Sequence, residues 1–208
     1  MSIIATDLDG TIFKGQTLID GVKEGLLKII NEGIEIYYTT NNSSQTPSEI
    51  KDKLEYLLQL NIDISKIITP LVIFQNLYSD NKLNIFIYGS DNLKKYIKNL
   101  NMNITSLENA ELILIGRKEE NNFTEINEII KNVSLGKNIL CLNKDLTFPT
   151  EFGEKAGNGA VVKIIEDELS ISIPTLGKSG DHYSSYFIQN KITVNYVIGD
   201  RVDTDIIF

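Results

Sequence analysis

Two aspartates at the end of a short apolar run constrain this chain more than any other feature. The segment Ile3–Thr11 begins with apolar residues, continues through Asp7 and Asp9, and reaches a glycine directly afterwards. A short apolar run predicts a buried strand, and residues two apart in a strand face the same side. The turn after this strand therefore receives two carboxylates. A second apolar run, Val194–Ile198, leads into another acidic segment that begins at Asp200, and we expect the two stretches to meet.

Strands and helices alternate in the first third of the chain. A loop is predicted up to Ile19, then a helix capped by Asp20, and later a second helix that Thr46 and Glu49 begin as a capping box. The segments predicted to alternate are a helix over 22–30, a strand over 34–39, a helix after Pro47 and a short strand over 67–68. The β-α-β-α-β order predicts a parallel sheet with helices on both faces.

The middle of the chain reads as a separate α/β module. We expect an inserted domain over residues 73–173 and a discontinuous core formed by residues 1–72 and 174–208. The module is predicted to contain strands over 83–88, 111–115 and 139–142, helices over 91–100, 124–133 and 160–166, and an irregular segment over 143–150. The first pattern then resumes with a helix over 181–189. Because a doubly wound sheet normally continues further, the stop at Phe208 predicts a truncated core.

Composition excludes several classes of function. The net charge of −8 argues against a nucleic-acid partner, because phosphate contacts need a basic surface. No apolar run approaches the ~18 residues of a membrane span, and no leader-like segment is present. A single cysteine, Cys141, is expected to be a buried structural thiol and fits a reducing, cytoplasmic location. Small anionic substrates remain compatible with this charge if local cations or a metal attract them.

Polar clusters follow the ends of several predicted strands. Asp7 and Asp9 follow the first strand, Thr40 and Asn41 follow the next, and Asp200 follows the last. In open α/β sheets, ligands bind beyond the carboxyl ends of the strands, so these clusters should share one pocket. Clustered carboxylates suit Mg²⁺, which takes oxygen ligands and substrate phosphate. Hydroxyl and amide donors, with the ammonium group of Lys178, suit phosphoryl oxygens, and the combination points to phosphoryl chemistry.

Each motif taken alone has a simpler interpretation. Asp-X-Asp-Gly also opens calcium loops, but an EF-hand needs a glutamate at its twelfth position, where this chain has Leu18. Gly199 and Asp200 also suit a plain turn, and Lys178 also suits a solvated surface lysine. His182 is expected to lie on a helix face. The prediction of a phosphoryl-transfer site therefore rests on the order of the motifs together.

That order resembles the four motifs of the haloacid dehalogenase-like hydrolases. The resemblance is carried by Asp7-Leu8-Asp9-Gly10-Thr11, then Thr40-Asn41, Lys178, and Gly199-Asp200 with Asp205. The segments 40–44, 143–150 and 157–160 resemble the subclass IIA phosphatases, which include nucleotide, phosphoglycolate, pyridoxal-phosphate and p-nitrophenyl phosphatases. The resemblance implies a Rossmann-like parallel-sheet core with an inserted C2-type α/β cap.

The resemblance also implies a role for each matching residue. Asp7 would attack phosphorus as the nucleophile, and Asp9 would act as the general acid and base. Mg²⁺ would be bound by the Asp7 carboxylate, the Asp9 main-chain carbonyl and the Asp200 carboxylate. Asp205 would act on the ion through water. The phosphoryl group would be bound by Thr40, Asn41 and Lys178, and the cap would contact substrate through Asn143 and Asp145.

Two departures from the subclass and two alternatives stay open at this stage. Lys178 is followed by Ser179 where the subclass has proline, and Arg117-Lys118 stands where it has an aspartate.

The resemblance implies a small phosphorylated metabolite as substrate and a homodimer through the cap. A phospho-acceptor signalling domain shares the parallel sheet with Asp, Thr and Lys at strand ends. A truncated family member that binds ligand without turnover is the other alternative.

Overall fold

A computed structural model describes residues 2–80, 82–150 and 153–205. The strands are β1 (Ile3–Asp7), β2 (Phe13–Lys14), β3 (Thr17–Leu18), β4 (Glu35–Thr39), β5 (Ile67–Ile68), β6 (Asn84–Tyr88), β7 (Asn103–Ile104), β8 (Leu112–Ile115), β9 (Asn138–Cys141), β10 (Thr147–Thr150), β11 (Gly153–Ala156) and β12 (Tyr196–Ile198). The helices are α1 (Val22–Asn31), α2 (Pro47–Leu58), α3 (Pro70–Tyr78), α4 (Asp91–Asn99), α5 (Phe123–Ser134), α6 (Asn158–Leu169), α7 (Asp181–Gln189) and α8 (Val202–Asp205). Short 3₁₀ helices lie at Ile64–Lys66 and Leu107–Asn109.

The first sheet has the strand order β12-β1-β4-β5, and all of its neighbours are parallel. Its register sets Asp7 beside Thr39 and Thr6 beside Ile198, so three strands end almost level. The polar segments that follow these strands consequently leave the sheet at one edge. The predicted parallel sheet is confirmed, and so is the meeting of the first and last apolar runs.

Helices cover both faces of this sheet because the pleat sends successive side chains of β4 to opposite sides. Ile36 and Tyr38 pack with the apolar sides of α1 and α2. Tyr37 points the other way, and its ring lies 6.1 Å from that of Phe187 on α7. Thr46 begins α2 with the predicted capping box, in which its hydroxyl accepts from the Glu49 amide.

The second sheet has the order β7-β6-β8-β9 and is also parallel throughout. Every residue of β8 is buried, as expected for a parallel strand covered on both faces. Leu112 and Leu114 face the cluster that contains α3 and α4, whereas Ile113 and Ile115 face α5 and α6. A β10-β11 hairpin extends from the end of β9 toward α6.

The chain segment that returns from the second sheet stays attached to it. The Cys141 amide donates to Pro174 O at 3.0 Å, and the Leu176 amide donates to Cys141 O at 2.9 Å. Cys141 itself is buried as predicted, and burial raises the pKa of its thiol to about 11. Because α3 runs across position 73, the division into a core and an inserted domain remains a proposal.

Three local predictions were wrong. Gly21, with φ +80°, precedes α1 where an Asp20 cap was expected, and this conformation favours glycine. The segment up to Ile19 contains the β2-β3 hairpin, whose two-residue strands are too short to show a period. Thr147–Thr150 forms β10 instead of irregular chain, since its partner strand lies beyond the segment itself. The predicted truncation at Phe208 falls outside the described residues.

In the parts of the chain that the structure describes, no helix combines the length and the apolar character needed to cross a membrane.

Candidate active site

The two aspartates lie at and just beyond the end of β1. Asp7 is buried and Asp9 is half-buried. The turn after them closes when the Ile12 amide donates to Leu8 O at 2.9 Å. Gly10 has φ +102°, and a Cβ atom there would lie 2.1 Å from Asp200 Oδ2. Glycine is therefore needed at this position both for its backbone conformation and because the carboxylate that follows β12 passes so close.

Lys178 joins two of the carboxylates. Its ammonium group donates to Asp7 Oδ1 at 2.5 Å and to Asp205 Oδ1 at 2.7 Å. Lys178 is 2% exposed, so both ion pairs are shielded from water. A buried ammonium requires such partners, because an unpaired charge at this depth would be strongly destabilising.

Asp205 is held at both of its oxygens. Oδ1 contacts Lys178, and Oδ2 accepts from the Arg201 amide at 3.0 Å. A Cβ atom at Gly199 would lie 2.3 Å from the same Oδ2, so the turn before α8 fits only glycine. Asp205 is therefore already committed to protein contacts, whereas Asp200 is exposed.

The segment after β4 supplies hydroxyl and amide groups. Thr40 is buried, its amide donates to Ile68 O at 3.1 Å, and its hydroxyl accepts from the Asn42 amide at 2.9 Å. The Asn41 side chain uses both ends: Oδ1 accepts from the Lys178 amide at 2.7 Å, and Nδ2 donates to Asp145 Oδ1 at 3.0 Å. Asn41 thus links the Lys178 segment to the segment after β9.

The segment after β9 closes the other side of the site. Asn143 is buried, and its Nδ2 donates to Asn41 O at 2.8 Å and to Ser43 Oγ at 3.3 Å. These residues border a cleft of about 840 Å³. Its wall contains all nine side chains that the sequence singled out, namely Asp7, Asp9, Thr40, Asn41, Asn143, Asp145, Lys178, Asp200 and Asp205. The structure brings every one of the predicted site residues together.

Burial controls the charges in the cleft. It raises the pKa of Asp7 to about 6, and the nearby Lys178 opposes this shift. Burial also raises the pKa of Asp9, against the opposing effects of Lys53 and Lys178 and a hydrogen bond from Thr40. The pKa of Asp145 is raised for the same reason, opposed first by its hydrogen bond from Asn41. The cleft therefore favours the protonated forms of these three carboxyl groups more than water does.

The carboxylates fit a hard divalent cation. Among the described residues, Asp7, Asp200 and Asp205 each present an oxygen, and these oxygens lie within 4.8 Å of one another. Within the part of the chain that the structure describes, Asp7 Oδ2 is buried without a hydrogen-bond partner, which is costly unless something else compensates it. Oxygen ligands of this type suit Mg²⁺. Asp7 and Asp200 thus have the donor set for the ion, and the protein contacts of Asp205 agree with an indirect role.

Two further basic residues line the cleft, of which the sequence analysis missed Lys53 and noted Arg117 only as a departure from the subclass. Lys53 of α2 is half-buried, and its ammonium lies 3.5 Å from the centroid of the Phe13 ring, close enough to Asp9 to influence its pKa. Arg117 follows β8, lines the cleft and donates to Ser44 Oγ at 3.4 Å.

Comparison with known proteins shows what the chain resembles. The sequence profile described as haloacid dehalogenase-like hydrolase matches residues 4–103, which include the Asp7 and Thr40 motifs. Over these residues the chain is similar to the haloacid dehalogenase-like hydrolases. The sequence similarity extends past the profile: the acid sugar phosphatase of Staphylococcus haemolyticus is 28% identical, over 96% of this chain and 78% of that protein.

Two solved phosphatase structures share the fold of this chain. A p-nitrophenyl phosphatase from Archaeoglobus fulgidus gives a TM-score of 0.88 at 20% identity, over 99% of this chain and 81% of that one. A glycerol phosphate phosphatase from Mycobacterium tuberculosis, solved in complex with magnesium, gives a TM-score of 0.82 at 22% identity, over 99% of this chain and 64% of that one. At these identities the likeness establishes the fold alone.

Proposed function

We propose that this chain is a magnesium-dependent phosphatase that hydrolyses phosphate monoesters of small metabolites through an aspartyl-phosphate intermediate. The observation that carries the proposal is Asp7: one carboxylate oxygen pairs with Lys178, and the other is buried without a hydrogen-bond partner in the described parts of the chain. The names of similar proteins, acid sugar phosphatase and glycerol phosphate phosphatase, support small phosphoesters as the substrate class.

Asp7 is proposed as the nucleophile. One of its carboxylate oxygens attacks phosphorus, and the bond from phosphorus to the alcohol oxygen of the ester breaks. The position of Asp7 at the end of a paired strand supports this role, because the carboxyl group is held in one place before the substrate arrives. Bound Mg²⁺, held by Asp7, Asp200 and the Asp9 carbonyl, would neutralise phosphate charge.

Asp9 is proposed as the general acid and base. Its carboxyl group gives a proton to the departing alcohol oxygen, and the resulting carboxylate then takes a proton from the water that attacks the aspartyl phosphate. This second attack releases inorganic phosphate and restores Asp7. The raised pKa of Asp9, caused by burial, supports the first half of this cycle because it enlarges the protonated fraction near neutral pH.

Three donors are proposed to bind the phosphoryl oxygens. Lys178 supplies a buried ammonium, and Thr40 and Asn41 supply groups from the segment after β4. In phosphoryl transfer most of the catalysis is positioning and charge stabilisation, and fixed donors provide both without reorganising. Asn143 and Asp145 both line the cleft and contact Asn41, which supports a substrate-contacting role for them.

Steady-state hydrolysis of p-nitrophenyl phosphate, with Mg²⁺ and with a chelator, tests the proposal. We expect turnover that requires the metal and is lost in Asp7→Asn. A wild-type chain without metal-dependent turnover would favour the alternative of a family member that binds ligand without hydrolysing it. An Asp7→Asn variant with full activity would contradict the proposed mechanism even if the phosphatase activity were real.

The phospho-acceptor signalling domain makes a different prediction. Such a domain keeps its aspartyl phosphate as the signal, whereas Asp9 beside Asp7 gives this chain a base for rapid hydrolysis. Mass spectrometry after acid quenching should therefore find a phosphorylated species that does not accumulate in the wild type and does accumulate in Asp9→Asn. A stable phosphorylated wild type would support the signalling alternative.

A further inference from the structure

Lys53 is a basic residue of the cleft that the proposed mechanism does not use. It lies on α2, is half-buried and borders the cleft of about 840 Å³ that contains Asp7. Gln45, just before the start of α2, borders the same cleft. Helical side chains lean toward the N-terminus of their helix, so the long side chain of Lys53 extends toward the end of α2 that meets the cleft.

The Lys53 ammonium has no counterion in the described parts of the chain. Its contact is the face of the Phe13 ring, 3.5 Å from the centroid, and it forms no hydrogen bond or ion pair there. Glu49 lies one turn earlier on α2, but its Oε2 accepts from the Thr46 amide at 2.7 Å and the Thr46 hydroxyl at 2.9 Å. Burial lowers the pKa of Lys53 and the charge of Asp9 opposes this, yet the two form no ion pair. A partly desolvated charge in this position favours an anionic ligand.

Gln45 supplies a second donor beside α2. The Ser44 amide donates to Asn42 Oδ1 at 2.9 Å, so Asn42 presents its Nδ2, which donates to Gln45 Oε1 at 3.1 Å. This contact fixes the orientation of the Gln45 amide. Its Nε2 has no hydrogen-bond partner among the described residues and is available to a ligand in the cleft.

The part of the cleft wall formed by α2 and the β2-β3 hairpin is basic. It contains two lysines and no carboxylate among the described residues, which are Phe13, Lys14, Gly15, Gln16, Gln45 and Lys53. The carboxylates of the cleft come from other segments of the chain. A negative group on this wall would therefore meet cations and amide donors.

We propose that Lys53, assisted by Gln45, binds a second phosphate group on the leaving group, so that the preferred substrates are bisphosphorylated small molecules. A phosphate carries about two negative charges and three acceptor oxygens, enough for an ammonium and an amide donor together. Because Asp9 is the proposed acid for the leaving group, its proximity to Lys53 puts the second phosphate on the leaving-group side. The inference rests on the proposed phosphatase function and deepens it, since it names the substrate class.

A series of linear diols, from ethane-1,2-diol to hexane-1,6-diol, tests the proposal. Each is assayed as its bisphosphate, as its monophosphate and as the monophosphate that carries a terminal carboxylate. We expect the wild type to prefer the best-fitting bisphosphate over its monophosphate by about 10-fold in kcat/KM, the effect of one charge-assisted hydrogen bond. In Lys53→Met the preference should fall to the factor that two equivalent phosphates give. Gln45→Leu should lower it less, because a neutral donor binds phosphate more weakly.

Three results would overturn the proposal. They are a wild type without preference at every chain length, a preference that Lys53→Met retains, and an equal preference for the carboxylate analogues. Raising the ionic strength gives a further check, since it should reduce the preference of the wild type and leave that of Lys53→Met unchanged.

Lys51→Met is the matched control. Lys51 lies on the same helix, pairs with Glu55 at 3.2 Å and does not border the cleft, so its loss makes the same change in net charge away from the site. The preference should survive in this variant. If Lys51→Met lowered it as much as Lys53→Met does, the effect would belong to net charge or helix stability and the proposal would fail.

Binding measured without turnover separates this inference from the proposed function. Calorimetry on Asp7→Asn should give a Kd for the best-fitting bisphosphate about 10-fold below that for its monophosphate, and Asp7→Asn with Lys53→Met should lose the difference. If the wild type hydrolysed none of these esters, the proposed function would fail, and this binding difference would still decide the role of Lys53. Equal Kd values for the two esters in Asp7→Asn would overturn that role.

Discussion

Lys178 is the residue on which the charges of the cleft depend. Its ammonium group lies between the buried carboxylates of Asp7 and Asp205, which would otherwise repel each other. Its amide is also held by the Asn41 side chain. One residue thus stabilises the acidic cluster and is proposed to bind the phosphoryl group, so its loss should affect both folding and catalysis.

Lys178→Met should lower kcat by ~10²–10³, the effect of losing one fixed donor to the transition state. It should also lower the free energy of unfolding at neutral pH by about 3–5 kcal/mol, because two buried carboxylates lose their partner. Lys163→Met is the control, since its ion pair with Asp167 is exposed and should change stability little. Kinetics and urea unfolding measure the two effects, and unchanged kcat in Lys178→Met would contradict the assigned role.

The raised pKa of Asp7 predicts a pH-dependent stability. Because its pKa is about 6 in the folded protein against an ordinary 3.8, the folded state binds more protons than the unfolded state between these values. The contribution of Asp7 to stability therefore decreases as pH rises from about 4 to about 6. In a chelator, Asp7→Asn should have the higher melting temperature at pH 7, with an advantage that shrinks toward pH 4. A difference in melting temperature that stays constant between pH 4 and pH 7 would contradict the raised pKa of Asp7.

The start of α6 is an element with tight steric demands. The segment after β9 lies directly against it, and the two glycines that flank Asn158 allow that approach. Asn143 and Asp145 belong to the same segment and reach Asn41. The contact between the segment after β9 and the start of α6 therefore determines both where α6 begins and the shape of the cleft.

Gly159→Ala should destabilise the protein and distort the cleft, because its Cβ would meet Lys144 O at 2.1 Å. Gly25→Ala on α1 is the matched control, since nothing lies within 4 Å of the added atom. This control should gain about 0.4–1 kcal/mol, the usual result of reducing the freedom of the unfolded chain at a compatible site. Urea unfolding compares Gly159→Ala with Gly25→Ala. Similar changes in the free energy of unfolding would mean that position 159 does not lie close to Lys144 O in solution.

At the scale of the whole molecule, one apolar cluster joins the two sheets. The cluster contains Phe74 of α3, Leu114 of β8, Leu176 from the segment before α7, and Tyr183 of α7. The Tyr183 hydroxyl donates to Ile68 O at 2.9 Å. Side chains from both sheets therefore lose their packing together. The two sheets are expected to unfold in one cooperative step although the chain between them is long.

Leu176→Ala should lower the free energy of unfolding by about 2–5 kcal/mol and keep a single transition, because it opens a cavity in the shared cluster. Far-UV circular dichroism and tyrosine fluorescence should give coincident urea curves. Tyr56→Ala, at a side chain 77% exposed, should stay close to the wild type. Two separate transitions in the wild type would show that the sheets unfold independently.

The sequence predicted the cleft better than it predicted the connections around it. Asp7 and Asp9 were predictable because strand geometry and spacing act locally, and the parallel register then determined their neighbours. The hairpin at Phe13–Lys14 and the Gly21 start of α1 were not predictable, since they depend on what packs against them. Lys53 was missed because its role depends on a partner from another segment. The cytoplasmic location and the homodimer stay predictions.

The bridging amide of Asn41 has a consequence for how such a protein changes over evolutionary time. Its two ends connect the Lys178 backbone, whose side chain contacts Asp7, to Asp145 in the segment after β9. A substitution that changes that segment therefore also moves the ammonium. We therefore expect a change in substrate preference to be accompanied by a change in turnover rate. Related proteins that differ in preference should also carry compensating substitutions around position 41.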